Sequence, residues 1–299
     1  MLHQPVRGGK SAAINRAMQE VKTPVVVFTD ANTMLSPLSI QKLVRHYNDE
    51  KVGGVSGEKR ISDKVTSAVG FGERLYWQYE SLLKKANAGF YTIIGAAGEL
   101  FSIRTRLYVP LDETVILDDF VISAQVCQQG YRFLYEEEAY AVETSSASIQ
   151  EESKRKIRIS AGCYQALTLL KGLLNPFQHA RVSFQYISHR VLRWTVCPLL
   201  LPVLFLTNTY LYFDDGNAVY TFLYWSQCAF YSLAIAGWLL LSRKHVANSL
   251  LVPYYSVFMI LSQYAGFYRF IRRKQTVFWE KAHRKTFDSS GDTYQISKD

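Results

Sequence analysis

Cysteine is scarce in this sequence, with four among 299 residues: Cys127, Cys163, Cys197 and Cys228. No two stand in C-x-x-C spacing, which argues against a zinc site or a redox pair and leaves them as small buried hydrophobes. An apolar leader is missing as well: Met1 to Lys10 is polar and Gly-rich, so no signal peptide is expected there. A Walker A loop is excluded. Arg7-Gly8-Gly9-Lys10-Ser11 resembles its end, but the Gly required five positions before the final Gly is replaced by Gln4. Long apolar runs are absent up to about residue 180, and that part reads as a water-facing α/β domain.

The apolar residues are concentrated further on. Three runs, roughly Val191 to Phe213, Ala218 to Leu241 and Leu250 to Phe270, are each long enough to cross a bilayer. The mean hydropathy of -0.04 therefore averages two different solvents. The net charge is +9, and its basic residues gather beside the apolar runs: Arg181, His189, Arg190 and Arg193, then Arg243, Lys244 and His245, then Arg269, Arg272, Arg273 and Lys274. That placement points to a membrane surface and away from nucleic acid. The few charges inside the runs argue against a transporter. With Asp214-Asp215 after the first run and Arg243-Lys244-His245 after the second, the positive-inside rule puts the N-terminal domain in the cytosol. A third span would place Arg272-Arg273-Lys274 outside, against that rule, unless one segment is re-entrant or interfacial; the side of the tail stays open.

Within the first part, Val25-Val26-Val27-Phe28-Thr29-Asp30-Ala31-Asn32-Thr33 is a β-branched run ending in a carboxylate and an amide. It predicts a buried strand delivering oxygen ligands at its tip, suited to a hard divalent cation carrying a diphosphate. A strand followed by an Asx-type turn is equally consistent with it. Ser11 to Glu20 has helical spacing and sets Lys10 at a helix N-terminus, either as an anion contact or as a solvated lysine. Ser36-Pro37 predicts a capped helix with Ile40, Leu43, Val44 and Tyr47 on its apolar face, and Val52 to Glu58 a short strand. Thr66 to Ala86 predicts an amphipathic helix whose aromatics either pack in a core or line a groove.

Ile93 to Arg104 contains Gly95-Ala96-Ala97-Gly98-Glu99, where bare backbone allows either a close approach by substrate or a tight turn. Val115-Ile116-Leu117-Asp118-Asp119 again runs from apolar residues into carboxylates, serving as a helix cap or a general base. Tyr131 to Tyr135 and Ala139 to Glu143 read as two short strands around an acidic turn. A helix opens at Glu151, with Lys154, Arg155, Lys156 and Arg158 following the acids. These bases serve either i,i+4 pairing or a phosphoryl clamp. Leu167 to Leu174 is amphipathic and suits a membrane interface.

Taken in order, GGKSAAINRAM, VVVFTDANT, GAAGELFSIR, ILDDF, RKIRISAG, SHRVLRW and VFWEKAHR resemble the membrane-bound family 2 glycosyltransferases, the group of cellulose, chitin-oligosaccharide and hyaluronan synthases. The resemblance implies an α/β fold: a partial GT-A (nucleotide-sugar, Rossmann-like) domain over 1–160, an interface segment over 161–190, transmembrane helices over 191–271 and a basic tail over 272–299. It implies an inverting transfer from a UDP- or GDP-sugar to a polysaccharide or lipid-linked acceptor at the inner (plasma) membrane, with possible export subunits as partners. Asp30 and Asn32 match the metal-binding D-x-D pair, for Mg or Mn. Asp119 matches the general base of T-E-D, with Asp118 beside it. Gly95, Ala96, Ala97, Gly98 and Glu99 match the acceptor loop. Lys10, at its helix N-terminus, joins Arg155 and Arg158 on the diphosphate. The two arginines match the Gln and Arg of Q-x-x-R-W, with Ile159 in place of the Trp. The P-x-Y-N-E and D-D strands of that group precede Met1, so the sequence is expected to be N-terminally truncated, and an inactive fragment or partner subunit is the alternative reading.

Overall fold

The structure, a computed structural model, describes residues 8–62, 68–144, 148–241, 248–273, 286–287 and 293–294. Arg7, the 243–245 basic cluster, Lys274 and the VFWEKAHR block lie outside them. Chain order begins α1 (Gly9–Glu20), β1 (Val25–Thr29), β2 (Met34–Leu35), α2 (Ser39–Val44), β3 (Val52–Ile61), α3 (Ala68–Phe90), β4 (Leu100–Arg104), α4 (Asp118–Gln128), β5 (Arg132–Glu143) and α5 (Ile149–Leu169). It continues with α6 (Pro176–Tyr186), a π-helical turn over Ile187–Val191, α7 (Leu192–Trp194), α8 (Val196–Asp214), α9 (Ala218–Leu240) and α10 (Asn248–Ile271). β6 (Thr286–Phe287) and β7 (Thr293–Tyr294) form a separate antiparallel ribbon.

The main sheet is mixed, in the order β1-β4-β3-β5-β2, with β3 and β5 parallel and the other pairs antiparallel. The expectation of a buried β1 is corrected here. Among the described residues β1 is an edge strand bonded only to β4, and its valines are half-buried. Alternation explains why both of its faces are nonetheless apolar. Val26 and Phe28 pack on the large core under α4 and α5, with Phe28 stacked on Phe101 at 4.6 Å, while Val27 faces the smaller core under α2.

Three further expectations shift. The helix after Ser36-Pro37 begins only at Ser39, because Met34-Leu35 is drawn into pairing with β5. Leu43 fills the small core, but Ile40 and Val44 face outward. The strands expected on either side of the acidic turn are one strand, β5, and its pairing with β3 jumps from Glu136 to Tyr140, so that 137–139 loop out. Val115 to Leu117 is not a strand. Its polar backbone is satisfied by a turn and by side chains instead: Val115 N donates to Asp112 O at 3.0 Å, Val115 O accepts from Ser11 Oγ at 3.1 Å, and Ile116 N donates to Gln165 Oε1 at 3.0 Å.

α10 packs along both α5 and α9. All three expected apolar runs form long helices, and two of them, α8 and the Leu250–Ile271 part of α10, are long and apolar enough to cross a membrane. In α9, Tyr220, Tyr224, Trp225, Ser226 and Gln227 lower the apolar character. Leu204, Leu206 and Phe213 of α8 and Phe222 and Trp238 of α9 stay exposed.

Candidate active site

One cavity of about 1100 Å³ opens between the tip of β1, the loop before β4, the start of α4, helices α3 and α5, and the walls of α8 and α10. The structure brings all of the sequence-assigned residues to it: Lys10, Asp30, Asn32, Gly95, Ala96, Ala97, Gly98, Glu99, Asp118, Asp119, Arg155 and Arg158. They arrive on separate elements, and the sheet and α4 hold them in register.

At the polar end, Lys10 Nζ stands 3.1 Å from Asp30 Oδ1 and 3.1 Å from Asp118 Oδ2. Burial opposes its charge, but Asp118, Asp30 and Asp119 outweigh that and raise the ammonium well above its ordinary range. Lys10 thus answers carboxylates, where the sequence allowed an anion contact or a solvated lysine. Burial raises Asp118 against the pull of Lys10. Burial, then the neighbouring charge of Asp118, pushes the Asp119 carboxyl up to about 7. Asp119 forms no ion pair among the described residues; Phe120 N donates to its Oδ1 at 2.8 Å.

The loop before β4 leaves room in front of Asp119. A Cβ at Gly98 would sit 2.9 Å from Asp119 Oδ2. Gly95 has φ +100, which favours glycine, and a Cβ there would sit 2.6 Å from the Phe120 ring. Ala96 N donates to Ser123 Oγ at 2.9 Å and Ala97 N to Ser56 Oγ at 3.2 Å, which pins the loop's backbone. Glu99 turns away from solvent onto buried Lys59, which also binds Glu143. Burial disfavours its charge, yet Lys59 holds the Glu99 carboxyl down at about 2. Glu143 Oε1 in turn accepts from Asn32 Nδ2 at 2.8 Å.

Of the basic run on α5, Lys154 pairs with Glu151 at 3.1 Å and Lys156 with Glu152 at 3.5 Å, the local pairing the sequence allowed. Arg155 is held by Glu73 at 3.0 Å and Glu152 at 3.4 Å, and Arg158 lines the cavity. Tyr76, Trp77 and Tyr79 of α3 line it too, so these aromatics face a groove. Sequence reasoning missed Glu80, Lys84 and Glu143 as cavity groups, and Lys59 as the buried partner of Glu99 and Glu143, because single charged residues inside a strand or a helix carry no motif. Arg190 and Arg193 were visible only as a basic flank of the first apolar run.

Among the described residues no three His, Cys, Asp or Glu side chains cluster as a metal cage. A divalent cation bound with a diphosphate needs only one or two carboxylates, the rest being phosphate oxygens and water. Asp30, with its side chain 32% exposed on the cavity wall, fits that need.

The profile of the family described as "Glycosyl transferase family group 2" matches residues 25–268. No curated protein matches the sequence. Among solved structures, the fold is similar to that of the mannosyltransferase PcManGT from Pyrobaculum calidifontis, determined in complex with GDP-Man and Mn2+. The two share 19% identity and a TM-score of 0.61, over 92% of this chain and 70% of that one.

Proposed function

The chain belongs to glycosyl transferase family group 2, a transferase, and from that premise we propose that it moves a sugar from a nucleoside-diphosphate sugar to a hydroxyl of a membrane-held glycan acceptor, with inversion. The observation that carries this reading is the meeting, in one cavity, of the Asp30–Lys10–Asp118 cluster with the raised carboxyl of Asp119. The GDP-Man and Mn2+ of the similar structure support a nucleotide-sugar donor, with UDP or GDP as carrier and Mg or Mn as cation.

Asp30, with Asn32 beside it, would hold the cation, which when bound would supply positive charge for the diphosphate leaving group. Lys10, Arg155 and Arg158 place further positive charge along the same wall. Asp119 takes the acceptor proton, and its carboxyl near 7 suits a base working at neutral pH. The small residues from Gly95 to Gly98 let the acceptor approach within reach of it. Helices α8 and α10, with α9 between them in sequence, cross the membrane and hold the catalytic part on its cytosolic face.

Asp119→Asn tests the base. Transfer is expected to fall about 10²- to 10⁴-fold, with donor binding retained. Unchanged transfer would remove Asp119 from the mechanism.

A further inference from the structure

The residue that accompanies Asp30 at the tip of β1 is an amide, and an amide offers a metal only one of its two ends. Asn32 carries an oxygen that can ligate and an NH2 that cannot. Its side chain is exposed, and χ2 of an asparagine moves between broad wells, so that alone it would present either end to the cavity. The turn beneath it is fixed: Thr33 N and Thr33 Oγ1 donate to Asp30 O at 3.3 and 2.8 Å, and Thr29 Oγ1 lies 3.2 Å from Thr33 Oγ1. These bonds set the backbone and leave the direction of the amide open.

Glu143 sets that direction. The pairing of Met34 with Val142 and Leu35 with Ala141 draws the end of β5 beside the turn, and Glu143 Oε1 accepts from Asn32 Nδ2 at 2.8 Å. A carboxylate accepts and does not donate, so the amide edge that faces it is the NH2. Oδ1 is then turned away from Glu143, and among the described residues it accepts no hydrogen bond. Asn32 and Glu143 line the same cavity as Asp30. The contact also accounts for an amide at this position, since a carboxylate at 32 would set two anions against each other and raise the proton affinity of one of them.

Glu143 is itself held. Its side chain is 3% exposed, and its Oε2 receives the ammonium of Lys59, which is fully buried. The parallel register of β3 and β5, Lys59 with Ala141 and Ile61 with Glu143, brings the two side chains together. Lys59 also binds Glu99 and lies 4.6 Å from the centre of the Trp77 ring. Thr29 Oγ1 donates to the Glu99 carbonyl at 3.0 Å, so one ammonium ties β5 to the loop before β4 and, through it, to the end of β1. With one oxygen on Asn32 and the other on Lys59, Glu143 suits an orienting group better than a ligand.

We propose that Glu143, braced by Lys59, is a positioning residue of the cation site: it fixes the flip of the Asn32 amide so that Oδ1 is the end offered to the cation beside Asp30. The inference rests on the glycosyl-transfer reading. Partners that orient a ligand in this way are worth about 10- to 100-fold in metal affinity.

The test uses the full chain in detergent and reads the Mn2+ concentration that gives half-maximal binding of GDP or UDP, by equilibrium dialysis of the labelled nucleotide, with no turnover required. Glu143→Gln is made in the wild-type chain and in Asn32→Ala. A glutamine can face Asn32 with either of its ends, so both flips of the amide become open. The substitution is expected to raise the Mn2+ requirement about tenfold or more in the wild-type chain, and to add nothing in Asn32→Ala, as two residues acting through one contact must. An unchanged Mn2+ requirement in the first background, or an equal rise in both, would overturn the inference; an equal rise means that Glu143 acts on the cation without the amide. If Glu143→Gln does not fold, Glu143→Asp takes its place: it keeps a charge for Lys59, withdraws the carboxylate from Asn32 by one methylene, and is expected to give the same pattern. Mn2+-dependent nucleotide binding that ignores these variants strikes only this inference. A wild-type chain that binds neither nucleotide with Mn2+ strikes the glycosyl-transfer reading, and this inference with it.

Discussion

Asp118 and Asp119 are neighbours in sequence with opposite surroundings. Asp118 faces Lys10 at 3.1 Å, whereas Asp119 has a backbone N–H and the open space in front of Gly98. The carboxyl near 7 is the electrostatic result, since burial and the charge next door both disfavour its ionised form. If Asp119 is the base, kcat/KM rises with pH through about 7 and then levels off. The stability consequence has the opposite direction. Between the unfolded-state value near 4 and the folded value, the native chain binds the extra proton, so this group's contribution to stability declines as pH rises through that window. Asp119→Asn is expected to abolish that slope, so its Tm relative to wild type increases from pH 4 to pH 8. A constant difference in Tm would mean the carboxyl is not perturbed. The presence of two carboxylates here was legible in the sequence, but their division of labour was not, because it depends on Lys10 arriving from α1.

Among the elements, helices were read best and pairings worst. The spacing of Ala13, Ile14, Ala17 and Met18 predicts α1, and the acids and bases from Glu151 predict the start of α5; both depend on neighbours within a turn or two. The edge position of β1, the looped-out residues 137–139 in β5 and the irregular Val115 to Leu117 depend on partners far away in sequence, which periodicity does not report. The loop before β4 lies between these cases. Its small residues were conspicuous, but whether they marked a turn or a site depended on Phe120 and Asp119 packing against them. Gly95→Ala adds a Cβ where φ is +100 and where the Phe120 ring is 2.6 Å away. It is expected to cost about 1–3 kcal/mol from the backbone conformation alone, with more from displacing the ring. A shift in the denaturant midpoint measures it, and a variant as stable as wild type would show that the loop is free to relax.

At the scale of the molecule, the two regions with different composition meet at one cavity. The sheet and α4 supply carboxylates, α3 and α5 supply paired charge, and the apolar helices α8 and α10 close the far wall. This division was legible in the sequence as a polar first part and an apolar second part. The cavity itself was not, since Lys84, Glu80 and Glu143 become a site only when α3 and β5 are brought together. The proposal that the tip of β1 holds a metal–nucleotide pair is tested by titrating GDP and UDP into the purified chain with and without Mn2+. It predicts binding that requires the metal and that Asp30→Asn weakens by about tenfold or more, on the scale of one lost charged contact. Nucleotide binding that is indifferent to metal, or equal in wild type and Asp30→Asn, would contradict it.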